Sequence, residues 1–87
     1  MKRAIEIKYN NRGKAVCKIN GKKVKDHECL RVMIASDGMK VADASAFAGK
    51  SSKTMYSYLK GEQPIPAGII IMLGLKVGAD MGFTDEY

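Results

Sequence analysis

The chain has 87 residues, enough for one domain with a modest hydrophobic core. Its hydrophobic fraction of 46% indicates a folded rather than a disordered chain, and its longest apolar run, residues 69–73, is far too short to span a membrane. The net charge of +6 is unevenly distributed: residues 1–25 carry nine Lys or Arg against one Glu, and residues 39–61 carry four Lys against one Asp. Such a distribution favours a polyanionic partner over part of the surface.

Metal and enzyme chemistry are not expected from the reactive residues. Cys17 and Cys29 form no CxxC pair and have no zinc spacing, and a single histidine, His27, cannot complete a Cys₂His₂ site. No nucleophile–base spacing, phosphate-binding loop or acidic cluster stands out. We therefore expect reduced structural thiols, no cofactor, no metal and no catalytic residues. The chain start lacks a signal-peptide pattern, so a cytoplasmic protein is expected.

The first 25 residues predict a small antiparallel β-meander. Apolar and polar residues alternate over 3–9 and again over 14–19, as in half-buried strands. Asn20-Gly21 is the strongest short hairpin signal, because a type I′ turn needs positive φ at both central residues. Residues 22–25 can form a third strand. The meander therefore has one apolar face and one face rich in lysine.

Two interpretations of the lysine-rich face are open. It contacts a DNA backbone, or the strands pair across a dimer axis while the lysines protect the exposed edge. The first interpretation, with the meander packed on the helical part of the chain, is slightly preferred. The residues concerned are Lys14, Lys18, Lys22 and Lys23.

Four helices are predicted between residues 26 and 79. Asp26 is a candidate N-cap for the first, which reaches about Ser36, and an Ala-rich second helix covers residues 41–48. The third covers residues 52–60. The fourth starts near Pro66, a residue tolerated in a first helical turn.

The fourth helix is apolar nearly all round. One side can cover the other helices, and a small domain leaves little for the other side to pack against. We expect that side to form a homodimer interface through Ile70, Leu73 and Val77. Residues 80–87 predict no element and are treated as a tail.

The third helix carries the most informative pattern of the chain. Gly49 suits a tight turn before it, and Ser51 is a good N-cap. Met55, Tyr58 and Leu59 recur at helical spacing and predict a buried side. The opposite side is short, polar and partly basic, which suits a helix lying in a DNA major groove. It consists of Ser52, Lys53, Tyr56 and Ser57.

The order of these elements resembles the Cro and phage-repressor-like helix-turn-helix family, over roughly residues 27–77. The family pattern Leu-Gly-Val-Ser-x-x-Thr-Ile-Ser-x-x-x-x-Gly is matched without insertion or deletion by residues 48–61, in which Gly49, Ser51, Thr54 and Gly61 are identical. Ser45 lies where the family has a small residue at the helix crossing. Two departures concern DNA contacts. Val41 replaces a phosphate-binding Gln, and Lys40 replaces a capping Thr or Ser.

The resemblance implies a lambda-repressor-like fold, mainly α with the N-terminal β-meander, forming a single domain over residues 1–87. It implies a transcriptional regulator of a phage or bacterial cytoplasm, most plausibly a homodimeric repressor that binds a palindromic operator in double-stranded DNA. Base-reading residues would be Ser52, Lys53, Tyr56 and Ser57. Backbone contacts would come from Lys40, Lys50, Ser51, Thr54 and Lys60.

Two other functions remain open. A protein-binding module, such as an antitoxin or adaptor, would bind its partner through the apolar fourth helix. Binding of RNA or single strands by the basic strands is the weaker alternative, because the exposed aromatic residues of stacking platforms are missing.

Overall fold

The computed structural model describes residues 4–84, which form a four-stranded sheet and four helices. The strands are β1 (Ile5–Tyr9), β2 (Ala15–Ile19), β3 (Lys22–Val24) and β4 (Asp80–Phe83), arranged in the order β3-β2-β1-β4. The predicted meander is confirmed as antiparallel β1, β2 and β3.

The predicted tail is wrong for residues 80–83. They form β4, which pairs in parallel with β1, Glu6 lying opposite Asp80. The fold is therefore a small α/β fold with a mixed sheet, and the expectation of a mainly α chain is corrected. Sequence alternation could not reveal this strand, because its hydrogen-bonding partner lies at the opposite end of the chain.

The β2–β3 hairpin fixes which residues occupy each face of the sheet. Asn20 and Gly21 have φ of 52° and 83°, the positive values that the predicted turn requires. Cys17 consequently lies opposite Ile7 on one side and Val24 on the other, and these three residues share the inner face. The alternate residues share the outer face: Glu6, Lys8, Val16, Lys18 and Lys23.

The helices are α1 (Asp26–Ser36), α2 (Val41–Ala48), α3 (Ser52–Leu59) and α4 (Ala67–Val77), so their predicted order and approximate bounds are confirmed. The N-cap of α1 is corrected: Lys25 is the cap residue and Asp26 is the first helical residue. Asp26 is half-buried, and this burial raises the pKa of its carboxyl group, an effect that the nearby His27 opposes.

The elements form three layers. Helices α1 and α4 cover the inner face of the sheet, and α2 and α3 pack mainly against α1 and α4. Gly74 allows α4 to approach the sheet closely, because a Cβ atom there would overlap Ile7 Cδ1 and lie 3.1 Å from Met81 Sδ. The α2–α3 pair and the outer face of the sheet are therefore on opposite sides of the molecule.

The core lies between the sheet and the helices. Its largest fully buried side chains are those of Ile7, Leu30, Met33, Met55, Ile70, Leu73, Cys17 and Cys29. The two cysteines are free thiols that join β2 to α1. A hydrogen bond with the Cys29 side chain, together with burial, raises the pKa of the Cys17 thiol far above its usual range. The Cys17 thiol is thus kept protonated and unreactive.

The predicted dimer interface is wrong for two of its three residues. Ile70 and Leu73 are fully buried within the chain, and Val77 is half-buried. Because α4 packs against the sheet on one side and against α1 and α2 on another, the sequence overestimated how much of its apolar surface is free. The apolar residues of α4 that remain exposed are Met72 and Leu75.

No helix within residues 4–84 has the length and hydrophobicity needed to cross a membrane.

Candidate nucleic-acid interface

A three-residue turn joins α2 to α3. Gly49 adopts the left-handed conformation, with φ 69° and ψ 29°, and its N–H donates to Ala46 and Ser45 carbonyl oxygens. The Lys50 N–H also donates to the Ser45 carbonyl, at 3.0 Å. These bonds close the C-terminus of α2 in the manner of a Schellman motif. The chain therefore changes direction sharply before α3.

Ser45 contributes to this turn from inside α2. It is buried, and its hydroxyl donates to the Val41 carbonyl at 2.8 Å, which leaves no polar atom of this side chain unpaired where α2 meets the core. A small residue was predicted at this position so that the helices could pack closely, and α2 and α3 are in direct contact.

The N-cap of α3 is confirmed. Ser51 has extended backbone angles, and its Oγ accepts a hydrogen bond from the Thr54 N–H at 3.1 Å. The same hydroxyl donates to Thr54 Oγ1 at 3.0 Å. Ser51 and Thr54 thus serve the helix end directly. The remaining N–H groups of the first turn lie at the exposed and electropositive end of α3.

The side of α3 that was predicted to read bases faces away from the core. Met55 and Tyr58 are buried, as their spacing predicted, whereas Ser52 and Lys53 are exposed and Tyr56 is 51% exposed. Ser57 is half-buried at the margin of this surface. The four residues occupy one side of a helix about 12 Å long, the dimension of a two-turn helix.

Three exposed lysines surround this surface. Lys50 lies in the turn before α3, Lys60 is its C-cap residue, and Lys40 precedes α2. The α2 cap differs from the α3 cap, because lysine offers no acceptor to the helix N–H groups. The Asp43 carboxylate instead accepts from the Lys40 N–H at 3.2 Å. The ammonium group of Lys40 is therefore not used in capping.

Arg31 was not predicted from the sequence as a residue of this site. This residue of α1 is exposed, and its Nε donates to the Leu59 carbonyl at 3.1 Å, so it satisfies one of the free carbonyl groups at the C-terminus of α3. It adds a fixed positive charge at the far end of the candidate surface. Nothing in the sequence relates Arg31 to Leu59, which lies 28 residues further along the chain.

The lysines of the meander are not brought to this surface. Lys18 and Lys23 lie on the outer face of the sheet, beyond the layer formed by α1 and α4. A cleft lined by Asp26, His27 and Glu62, among others, lies where α3 ends and α1 begins. The α3 surface and the outer sheet face are separate surfaces, because α1 and α4 lie between them.

Within residues 4–84 there is no group of three or more His, Cys, Asp or Glu residues placed to hold a metal ion. Comparisons with known proteins find no matching protein family, no matching curated protein and no matching solved structure.

Proposed function

We propose that this protein is a sequence-specific regulator that binds double-stranded DNA, with α2 and α3 acting as a helix-turn-helix. The observation that carries the proposal is the exposed side of α3, which follows a sharp turn and a hydroxyl cap and is polar and basic. A helix of this width fits the major groove of B-DNA, where each base pair presents a distinct set of donors and acceptors.

Each residue has a defined chemical role in this proposal. Lys53 donates to guanine N7 and O6, and Ser52 and Ser57 donate to or accept from base edges. Tyr56 contacts a thymine methyl group or a phosphate. The cations around α3 bind the DNA backbone and fix the helix in the groove: Lys40, Lys50, Lys60 and Arg31.

Ser51 and Thr54 have a changed role, because their hydroxyl groups already bond to each other. They contribute to DNA binding mainly by holding the N-terminus of α3, where backbone N–H groups attract a phosphate. No cofactor and no catalytic step form part of the proposal.

We further propose that the protein acts as a homodimer on a palindromic operator with half-sites about 34 Å apart. Since Ile70 and Leu73 are buried, the dimer contact is assigned to the exposed apolar side chains of α2 and α4, namely Phe47, Met72 and Leu75. Lys76 Nζ lies 5.0 Å from the centre of the Phe47 ring, which places these two helices side by side at this surface. Repression would follow when the bound dimer blocks access to a promoter.

The test is selection of bound duplexes from a random pool, combined with the mass of the protein in solution. A palindromic consensus, a specific-to-nonspecific affinity ratio of at least about 10³ and a dimer mass are expected. A Leu75→Lys variant should be monomeric and lose affinity for the full palindrome, whereas Leu75→Met should remain dimeric. A pool that yields no consensus would refute the proposed function.

The second candidate function is that of a protein-binding module. It is favoured by the exposed apolar side chains of Phe47, Met72 and Leu75. In that case Leu75→Lys would abolish partner capture, and the protein would show neither an operator nor a steep salt dependence of DNA binding. The selection experiment therefore separates the two functions.

A further inference from the structure

The outer face of the sheet is a second basic surface that the proposed function does not use. Residues 8–25 contain seven Lys or Arg and no Asp or Glu. The fold places Lys8, Lys18 and Lys23 together on the outer face, with Lys18 directly opposite Lys23 in the β2–β3 ladder. Lys23 is exposed, and Lys8 and Lys18 are half-buried.

No helix within residues 4–84 covers this face. Cys29 of α1 meets Cys17, and Gly74 of α4 meets Ile7, so both helices that contact the sheet lie on its inner side. Lys8 extends along the sheet, because a Cβ atom at Gly82 would lie 3.0 Å from its Nζ and 3.2 Å from its Cδ. Its methylene groups therefore cover the strands while its charge remains at the surface.

Opposing charges on this face are few. Glu6 lies beside Lys18 in the β1–β2 ladder, and Asp80 lies beside Glu6 at the far edge. Both carboxylates lie toward β4, whereas β2, β3 and the loops that flank them carry cations alone. The surface is therefore most positive on the side of the β2–β3 hairpin.

We propose that the outer sheet face binds the phosphate backbone of a second DNA duplex, so that one molecule can join its operator to another DNA segment. Charge complementarity selects the partner: the cations of β2, β3 and their flanking loops outnumber the two carboxylates of this face and match a regular array of phosphates. This inference rests on the proposed function in one respect: the first of the two duplexes is the operator that α3 binds.

The chemistry of the face argues for a duplex rather than a single strand. The exposed aromatic residues within 4–84 are Phe47, Tyr56 and Phe83, and none of them belongs to the outer face. Bases of a single strand would find no ring on which to stack. The four-stranded sheet is also wider than the two-stranded ribbon that a major groove admits, so its outer face contacts the backbone without reading sequence.

Helices α1 and α4 keep the two basic surfaces apart, because the sheet packs on one side of them and the α2–α3 pair on the other. The two surfaces are on opposite sides of α1 and α4, and two duplexes can therefore be held without colliding.

The first experiment measures affinity for a random duplex against salt concentration. Lys18→Gln/Lys23→Gln should reduce the slope of log K against log salt by about 1.8, because two phosphate contacts are lost. Lys76→Gln removes a cation of α4 away from the outer face and should leave the slope nearly unchanged. Equal slopes for both variants and the parent protein would overturn the inference, as would equal reductions in both variants or tighter binding of single strands than of duplexes.

The second experiment tests bridging directly. The protein is bound to an immobilised operator, and capture of a labelled random duplex is measured. The parent protein and the Lys76→Gln variant should capture it, whereas Lys18→Gln/Lys23→Gln should occupy the operator equally and capture none. Capture by all three proteins, or by none, would contradict the inference. If the protein has no operator, the proposed function is refuted. The salt experiment still tests whether the outer sheet face binds DNA.

Discussion

The two basic surfaces of this molecule are both positively charged, but they differ in shape and in the side chains that they present. The surface on α3 is convex and mixed, with Ser, Lys and Tyr side chains and a capped helix end. The outer sheet face is broader, and its cations are lysines carried by strands. Positive charge attracts DNA equally well on both, but only varied donors and acceptors on a narrow element can distinguish base pairs. The comparison teaches that shape and side-chain variety, rather than net charge, indicate sequence-specific recognition.

The largest expected effect tests this comparison on α3. Lys53→Ala/Tyr56→Ala should lower operator affinity by about 10²- to 10⁴-fold, because each lost base contact costs about 1–3 kcal/mol. Affinity for random duplex should change much less. Both are measurable by titration with labelled duplexes.

The matched control for that variant is Lys25→Ala/Phe83→Ala, which removes an exposed cation and an exposed ring away from α3. It should keep operator affinity within a few-fold. An equal loss in both variants would show that α3 does not read the bases.

The second prediction concerns α4, which together with α1 lies between the α3 surface and the sheet. Gly74→Ala should destabilise the fold by about 1–3 kcal/mol, because the new methyl group overlaps Ile7 Cδ1. Gly68→Ala, on the same helix with no neighbour within 4 Å, should instead stabilise it by about 0.5–1 kcal/mol. Urea unfolding measures both. Similar free energies of unfolding for the two variants would contradict the close approach of α4 to the sheet.

The third prediction contrasts the caps of α2 and α3. Ser51→Ala should cost about 1 kcal/mol of stability, because the Thr54 N–H loses its acceptor. Lys40→Ser should add a few tenths of a kcal/mol or more by supplying an acceptor, yet weaken DNA binding and reduce its salt slope by about 0.9. Thermal unfolding measures the change in stability, and salt titration measures the change in DNA binding. A Lys40→Ser variant with unchanged salt slope would remove Lys40 from the DNA contacts.

The smallest expected effect concerns Asp26, the first residue of α1. Because burial raises the pKa of the Asp26 carboxyl, the folded state holds its proton more tightly than the unfolded state does. The contribution of this group to stability therefore falls as pH rises from its ordinary pKa through its raised value. Asp26→Asn should remove that dependence, whereas Asp37→Asn at the exposed end of α1 should not. Urea unfolding at several pH values, with a pH-independent difference between parent and Asp26→Asn, would contradict this assignment.

Local structure was largely predictable from the sequence. The Asn20-Gly21 turn, the Ser51 cap and the helical periodicity of Met55 and Tyr58 are short-range signals, and the structure confirms each of them. The bounds of α2 were likewise predicted correctly, because Gly49 adopts the left-handed conformation that ends it.

Long-range structure was not predictable in the same way. Pairing of β4 with β1 and the bond from Arg31 to Leu59 depend on how the layers stack, which periodicity does not encode. The burial of Ile70 and Leu73 has the same origin: a helix apolar on all sides gives no indication of which side a sheet will cover. The residues of α3 and the flanking lysines were identifiable individually. Their separation from the sheet lysines required the fold.

The parallel pairing of β1 with β4 has a consequence for the order of folding. Glu6 and Asp80, which lie opposite each other, are 74 positions apart in the sequence, so this contact has a large loop-closure cost and forms late. Until β4 pairs, β1 presents an open edge that favours aggregation. Substitutions that strengthen the pairing of β4 are therefore expected to reduce misfolding most.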